Sequence, residues 1–332
     1  MESDKTEREL PNIPADSISK LAFSPTSNTL LVSSWDRSVS IYNTDSCDLI
    51  SRFTGNAAIL DCAFYNTPNT AVWGGLDRHL QLHDFERNHT ENLGDHDYVI
   101  KAVRFYSQVG LIISGSWDST MRSWDPRTQS HWVSTTNLPG KAYSLAISEN
   151  QGYIVLGTNK KEILIFDIRN LQEPIQQKES PLKYQTRYIE CMPNGLGYAI
   201  ASIEGRVGLE YFSAAPEMQA RNYAFKCHRK EENGKVLVYP VNTIAFHPVF
   251  GTFATGGSDN LVNVWDGEHK KRIWKLKQYP SPISSLAFNK DGKQLAIGCS
   301  YMFEEGDIPN KPPEKIFIKE IEDNDVMPAS KE

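Results

Sequence analysis

The sequence predicts an all-β protein, a seven-bladed β-propeller, on three observations. One twelve-residue pattern recurs at steps of about 40 residues. Each copy carries short apolar runs with the period-two alternation of strands. The last copy is one strand short, and the N-terminal segment is placed to complete it.

The pattern is plainest in SGSWDSTMRSWD, residues 114–125. It aligns without gaps with VSSWDRSVSIYN (32–43), WGGLDRHLQLHD (73–84) and TGGSDNLVNVWD (255–266). LGTNKKEILIFD (156–167) and ASIEGRVGLEYF (201–212) fit the same frame without the turn aspartate. The fifth column reads Asp36, Asp77, Asp118, Lys160, Gly205 and Asp259. The first steps are 41, 41 and 42 residues, and later ones lengthen to 45 and 54 as loops grow. A seventh copy reads PISSLAFNKDGKQLAIGCS and, after a polar insertion, KIFIKEI.

Within a copy, an apolar strand such as ISKLAFSP comes first, then a turn and a second strand such as TLLVSS. A tight turn leads to a third strand, and a more polar fourth strand leads into the next copy. A lone blade cannot bury both faces, whereas ringed neighbours can. Too little chain follows KIFIKEI for a fourth strand, so TERELPN, near residues 6–12, is expected to fill it and close the ring. Residues 1–322 then form a single propeller, and 323–332 form an acidic, disordered tail.

Composition agrees. The 332 residues are 39% hydrophobic and 11% aromatic, enough for a large core, and a closed β architecture runs this long as one unit. The net charge of −6 argues against a surface coated in basic charge for nucleic acid. No apolar run approaches the roughly 18 residues of a membrane helix, and MESDKTEREL does not read as a signal peptide. Cys47, Cys62, Cys191, Cys227 and Cys299 are scattered and lack a CxxC, as expected of reduced thiols in the cytosol or nucleus.

Motifs of catalysis are missing: no G-x-S-x-G, H-E-x-x-H, P-loop or Gly-rich dinucleotide fingerprint occurs. His79 and His83 would suit a metal on a helix. Their segment reads as a strand, which spaces them some 13 Å apart by rise, so a wet blade edge is expected there. The reading is of a protein that is not an enzyme and holds no metal or cofactor.

Strand direction locates the binding face. The starts of strands a and c, and the ends of b and d, share one end of the ring, here called the top. Trp35 and Trp117 fall in b-to-c turns at that end. In the fifth blade, strand a starts near Arg187, strand c starts at Arg206, and RNYAFKCHR is expected to be strand d, ending near Arg229. Arg187, Arg206 and Arg229, with Lys183, Lys226 and Lys230, therefore gather at one rim. Clustered like charges leave a field that seeks an anion, and exposed Trp beside them suits a binding hot spot.

The repeat resembles the WD-repeat family. The resemblance implies a hydrogen-bonded tetrad of His96, Ser114, Asp118 and Trp124, with Gly-Asp-His in place of the family's Gly-His. TGGSDNLVNVWD keeps Thr255, Asp259 and Trp265 but offers no matching histidine, so that blade is expected to be less tied.

The segments LDCAF, GGLDRHLQLHD, GSWDSTMRSWDPRT, LKYQTR, SIEGRVGLEYF, YAFKCHR, YPVNTIAFHP and FATGGSDNLVNVWD resemble, over nearly the whole chain, the mitotic checkpoint propellers of the budding-uninhibited-by-benzimidazole group. A sister family, the messenger-RNA export propellers of the nuclear pore, shares SIEGRV and FKCHR but not WDPRT or GGLD in this form.

The checkpoint resemblance implies a spindle assembly checkpoint adaptor, monomeric within hetero-complexes, in the nucleus and at kinetochores in mitosis. It implies that Arg187, with Trp35, Trp117 and Lys183, takes an acidic GLEBS segment of the checkpoint kinase and its kinase-like relative. It places Arg206, Lys226 and Arg229 at or beside the positions that read a phosphorylated Met-Glu-Leu-Thr motif of the kinetochore scaffold. No membrane or direct nucleic-acid partner is expected. The insertion YMFEEGDIPNKPPEK (301–315) is expected to emerge at the top face.

Overall fold

The structure, a computed structural model, describes residues 7–328. Seven four-stranded antiparallel sheets follow one another, with consecutive strands paired a to d within each. The seventh holds Ile283–Phe288, Gln294–Cys299 and Lys315–Glu320. Its fourth strand is Glu7–Glu9, antiparallel to Lys315–Glu320. Leu10 follows into a slot where it is 2% exposed, and Arg8 bonds Glu320 at 2.5 Å.

Burial tracks strand position. The b strands, such as Gly197–Ser202, are buried along their length, whereas the outer strand Asp48–Thr54 alternates between half-buried and exposed. The core lies between blades: Ile163 and Ile165 of the fourth pack on Ile189, Tyr198 and Ile200 of the fifth. Side chains near the starts of the a strands also stitch neighbours together. Asp61 accepts from Val103 N, Ser144 from Ile189 N, and Ser285 of the last blade from Leu21 N of the first.

Each a strand also carries a break in register near its start, in all seven blades. One residue is skipped when the strand pairs with b: Ser19, Leu60, Lys101 and Tyr143 in the first four blades. Arg187, Asn242 and Ser284 are skipped in the last three. A bulge re-aims the side chain of its extra residue, and all seven of these residues face the mouth of the central channel.

Four expectations change. The fifth blade sits one residue out of the sequence frame. The residue after the turn acid takes positive φ in Arg37, Arg78, Ser119 and Asn260, and its counterpart is Gly205 (φ 62°). Glu204 therefore occupies the aspartate's place. A Cβ on Gly205 would also fall 2.7 Å from Cys227 O, so glycine is required there.

The fourth strand of that blade is Tyr223–Lys226 and stops short of Arg229. His228 (φ 47°) turns inward, and Arg229–Glu232 pairs instead with Lys235–Val238 in a separate hairpin.

The tail expected to be disordered from 323 begins as a helix, Asp323–Val326. It is closed by a capping box with Glu322, and Val326 is fully buried among Leu276, Ile283 and Ile321. Thr252 Oγ1 donates to Val326 O at 2.7 Å. One apolar residue with a slot outweighs the surrounding acids. Residues 329–332 lie outside the described residues.

His79 and His83 do not share a wet edge. His83 is 1% exposed, against Phe53 and Phe85, and its Nδ1 lies 2.7 Å from Thr90 Oγ1. His79 pairs with Asp95.

Candidate functional site

The tetrad forms as the residue types require. His96 Nδ1 lies 2.9 Å from Asp118 Oδ2, and Nε2 lies 2.7 Å from Ser114 Oγ, which accepts from Trp124 Nε1 at 2.8 Å. A neutral imidazole with its proton on Nδ1 satisfies every contact. Burial lowers the imidazole pKa. Burial alone would raise Asp118, but hydrogen bonds from His96 and Thr120 hold it well below the carboxylate range.

The sixth blade has the same arrangement, contrary to expectation. His228 Nδ1 lies 2.7 Å from Asp259 Oδ1, Nε2 lies 2.8 Å from Thr255 Oγ1, and Trp265 Nε1 donates to Thr255 at 2.9 Å. The sequence hid this histidine because the hairpin at 229–238 stands between it and its blade. Its signal was the buried pair Cys227-His228 among polar neighbours.

These turns frame a cavity of about 700 Å³ at the channel mouth, lined by residues of all seven inner strands. Trp35, Trp117 and Arg187 line it together, and Lys183 does not. Trp35 is 46% exposed. Trp117 packs between Tyr98 and Tyr143, and its buried indole N–H has no partner among the described residues. Lys183, expected beside Arg187, lies on an exposed connection with its Nζ 5.6 Å from the Tyr184 ring.

Among the described residues, Arg187 makes one side-chain hydrogen bond, Nε to Asn242 Oδ1 at 3.1 Å. Burial lowers its pKa, and Glu304 opposes that shift from a distance. No carboxylate among the described residues forms an ion pair with it. A planar guanidinium fork can take a carboxylate bidentately.

The insertion folds back over the same mouth. Tyr301, Met302 and Phe303 line the cavity, and Tyr301 OH donates to Gly306 O at 3.0 Å. Glu304 accepts from Ser258 Oγ.

The second basic group lies outward on the same blade. Arg206, first residue of strand c (Arg206–Tyr211), stands opposite Lys226 in the register with strand d. Both belong to the top end, like Arg187, but neither lines the cavity. Arg206 Nε lies 3.8 Å from Glu204 Oε1, beyond hydrogen-bond range, and has no hydrogen-bond partner among the described residues. Arg229 serves the turn: its Nη2 donates to Glu204 O at 2.8 Å. The residues expected as one cluster therefore fall into two basic groups, an inner one at Arg187 and an outer one at Arg206 and Lys226.

Repeated blades with His-Asp-Trp tetrads and a walled mouth define a WD-repeat propeller. The "WD domain, G-beta repeat" family matches residues 9–43, 87–125 and 226–266. The mitotic checkpoint protein BUB3.1 of Arabidopsis thaliana is 44% identical over 98% of this chain and 95% of its own. The mitotic checkpoint protein bub3 of Dictyostelium discoideum is 40% identical over 93% of this chain and 92% of its own. A poly(A)+ RNA export protein of Schizosaccharomyces pombe is 32% identical over 98% and 94%. The chain belongs to the BUB3 family of mitotic checkpoint proteins.

Proposed function

We propose that the chain is a non-catalytic adaptor of the spindle assembly checkpoint, working in the nucleus and at kinetochores in mitosis. Its inner site takes the acidic GLEBS segment of a checkpoint kinase or its kinase-like relative. Its outer site takes a phosphorylated Met-Glu-Leu-Thr motif of the kinetochore scaffold. The observation that carries the reading is Arg187: a half-buried guanidinium, without a carboxylate ion pair among the described residues, at an aromatic-walled mouth.

The outer site suits phosphate. Arg206 and Lys226 converge from adjacent strands, and Arg229 fixes the turn that presents Arg206. A phosphothreonine brings about −1.5 to −2 charges. Each charge-assisted hydrogen bond contributes roughly 1.5–3 kcal/mol, so losing the phosphate costs about tenfold to a hundredfold in affinity.

Binding of phosphorylated and unphosphorylated Met-Glu-Leu-Thr peptides, with and without the GLEBS segment, is the test. Preference for the phosphorylated form that disappears in Arg206→Glu supports the reading; equal affinity for both forms in the wild type refutes the phosphate site. The messenger-RNA export reading draws on the 32% identity to an export protein. It calls for nuclear-rim location through interphase and RNA binding that falls steeply with salt.

A further inference from the structure

We propose that the outer wall of the sixth blade is a docking surface for an acidic, extended segment of a partner protein, separate from both basic groups of the fifth blade. Its centre is the edge strand Lys271–Lys275, with Lys270 just before it.

Charge singles this strand out. Each blade has one outer strand, and six of the seven carry at most one lysine or arginine. Lys271–Lys275 carries three and no acid. Lys270, Lys271, Arg272 and Lys275 are all exposed. Setting these four aside leaves a net charge of −10, against −6 for the whole chain. A lysine on a sheet edge often serves only to repel another edge. The outer strand Trp132–Asn137 has no charged residue at all, so this ring does not demand that device, let alone three cations on one strand.

The register turns the cations outward. Ile273 is skipped where the strand pairs with Val262–Asp266. Ile273 and Trp274, neighbours in sequence, both pack on the core cluster shared by the sixth and seventh blades, as a bulge permits and strict alternation does not. Arg272 and Lys275 flank them in solvent. The carboxylates nearby are already engaged: Glu268 by Arg221 at 3.1 Å, Asp266 by His269 at 2.6 Å, and Asp323 by Lys293 at 2.6 Å. Asp325 closes the capping box of the helix packed beside the strand. Among the described residues, none of the four cations forms an ion pair, and Lys270 Nζ lies 4.6 Å from the centre of the Tyr223 ring.

A peptide fits this wall better than a nucleic acid does. The sheet ends at this strand, so its outward N–H and C=O groups are open; a peptide strand answers both, whereas phosphates only accept. No ring on the strand is exposed for a base to stack on. Beyond the wall, the remaining net charge repels a long polyanion, while a segment of strand length meets the cations alone.

The test uses the full chain carrying Arg187→Met and Arg206→Glu, so that neither basic group of the fifth blade contributes. The probes are an extended peptide of alternating glutamate and threonine, its glutamine counterpart, and single-stranded RNA. The glutamate peptide is expected to bind at low salt, to weaken as salt shortens the screening length, and to slow amide exchange across Lys271–Lys275. Reversing Lys271, Arg272 and Lys275 together to glutamate should weaken it about tenfold or more, with an unchanged thermal midpoint because all three are exposed. Lys290→Glu, an exposed reversal elsewhere, should change little. Equal affinity for the glutamine peptide, or full affinity in the triple reversal, overturns the proposal. RNA binding that is lost in the triple reversal, with no binding of the glutamate peptide, overturns the choice of partner. No binding of the glutamate peptide at low salt removes the sixth-blade surface and leaves the fifth-blade reading standing.

Discussion

Arg187 and Asn242, both skipped by the register of adjacent blades, join through Nε and Oδ1 at 3.1 Å. Asn242 is itself fixed, donating through Nδ2 to Ser258 Oγ and to Ile283 O, both at 3.0 Å. The guanidinium is therefore aimed by the sixth blade, which leans on the seventh. Asn242→Ala frees Arg187 and leaves Ile283 O short of a donor. The variant is expected to lose about 1–2 kcal/mol of stability. It should bind an acidic segment several-fold more weakly, through loss of preorganisation. Chemical denaturation and calorimetry of one preparation separate the two effects. A variant that is less stable yet binds at full strength would show that Arg187 aims itself.

The sixth-blade tetrad makes a sharper claim. His228→Ala removes two hydrogen bonds and leaves Asp259 buried without its partner. The cost is expected to match that of His96→Ala, about 2–4 kcal/mol in each case. A double-mutant cycle with Asp259→Asn should return a coupling above about 1 kcal/mol. A near-neutral His228→Ala would mean that the sixth blade is tied loosely.

That tetrad also marks where the sequence stopped being legible. The blades, their order and the N-terminal closing strand could be read because each copy repeats one strand pattern at nearly fixed steps. The pairing of Trp35 with Trp117 at the top followed from strand direction. His228 could not be read, because its distance to Asp259 is lengthened by a hairpin that no other blade carries. Arg206 was placed correctly at the start of strand c, but its turn was read one residue out, since Glu204 and Gly205 together imitate the Asp-plus-αL pair seen at Asp36 and Arg37. The bulge ring was invisible for a different reason: a skipped residue leaves no mark in period-two alternation when it sits at a strand's first turn.

Acid stability follows from the buried imidazoles. Burial lowers the pKa of His83, His96 and His247. In the unfolded chain these groups take protons below their ordinary pKa of about 6.5, while the folded state resists them. The unfolded state then binds more protons, so stability is fully present above about pH 7 and is lost as pH falls through the folded values. Asp118, held well below the carboxylate range, has the same sign in a lower window: its contribution is present above the ordinary value of about 3.9 and disappears beneath it. Thermal midpoints should be flat from about pH 8 to 7, fall from about 6.5 to 5, and fall again below about 4. A midpoint that rises between pH 7 and 5 would mean that the folded protein charges these imidazoles.

Ring closure rests on very little chain. Glu7, Arg8 and Glu9 pair with Lys319, Ile318 and Phe317. Around them, Lys277 Nζ lies 2.8 Å from Glu7, Tyr279 OH donates to Glu7 at 2.8 Å, and Lys315 pairs with Glu9. Leu10 N donates to Ile316 O at 2.9 Å, and its side chain packs against Ile316, Ile318 and Leu30. Exposed ion pairs contribute little; the buried leucine and the strand pairing supply most of the closure. Leu10→Ala is expected to cost about 2–3 kcal/mol. Deleting residues 1–10 leaves the strand Lys315–Glu320 with an open edge, which invites edge-to-edge association. Sedimentation of the truncated protein should show concentration-dependent self-association, with hydrogen exchange fastest in the seventh blade. Arg8→Ala should change neither. If truncation leaves a monomer with wild-type exchange at Ile316–Ile318, the ring is held by its other blades and the N-terminal strand only decorates it.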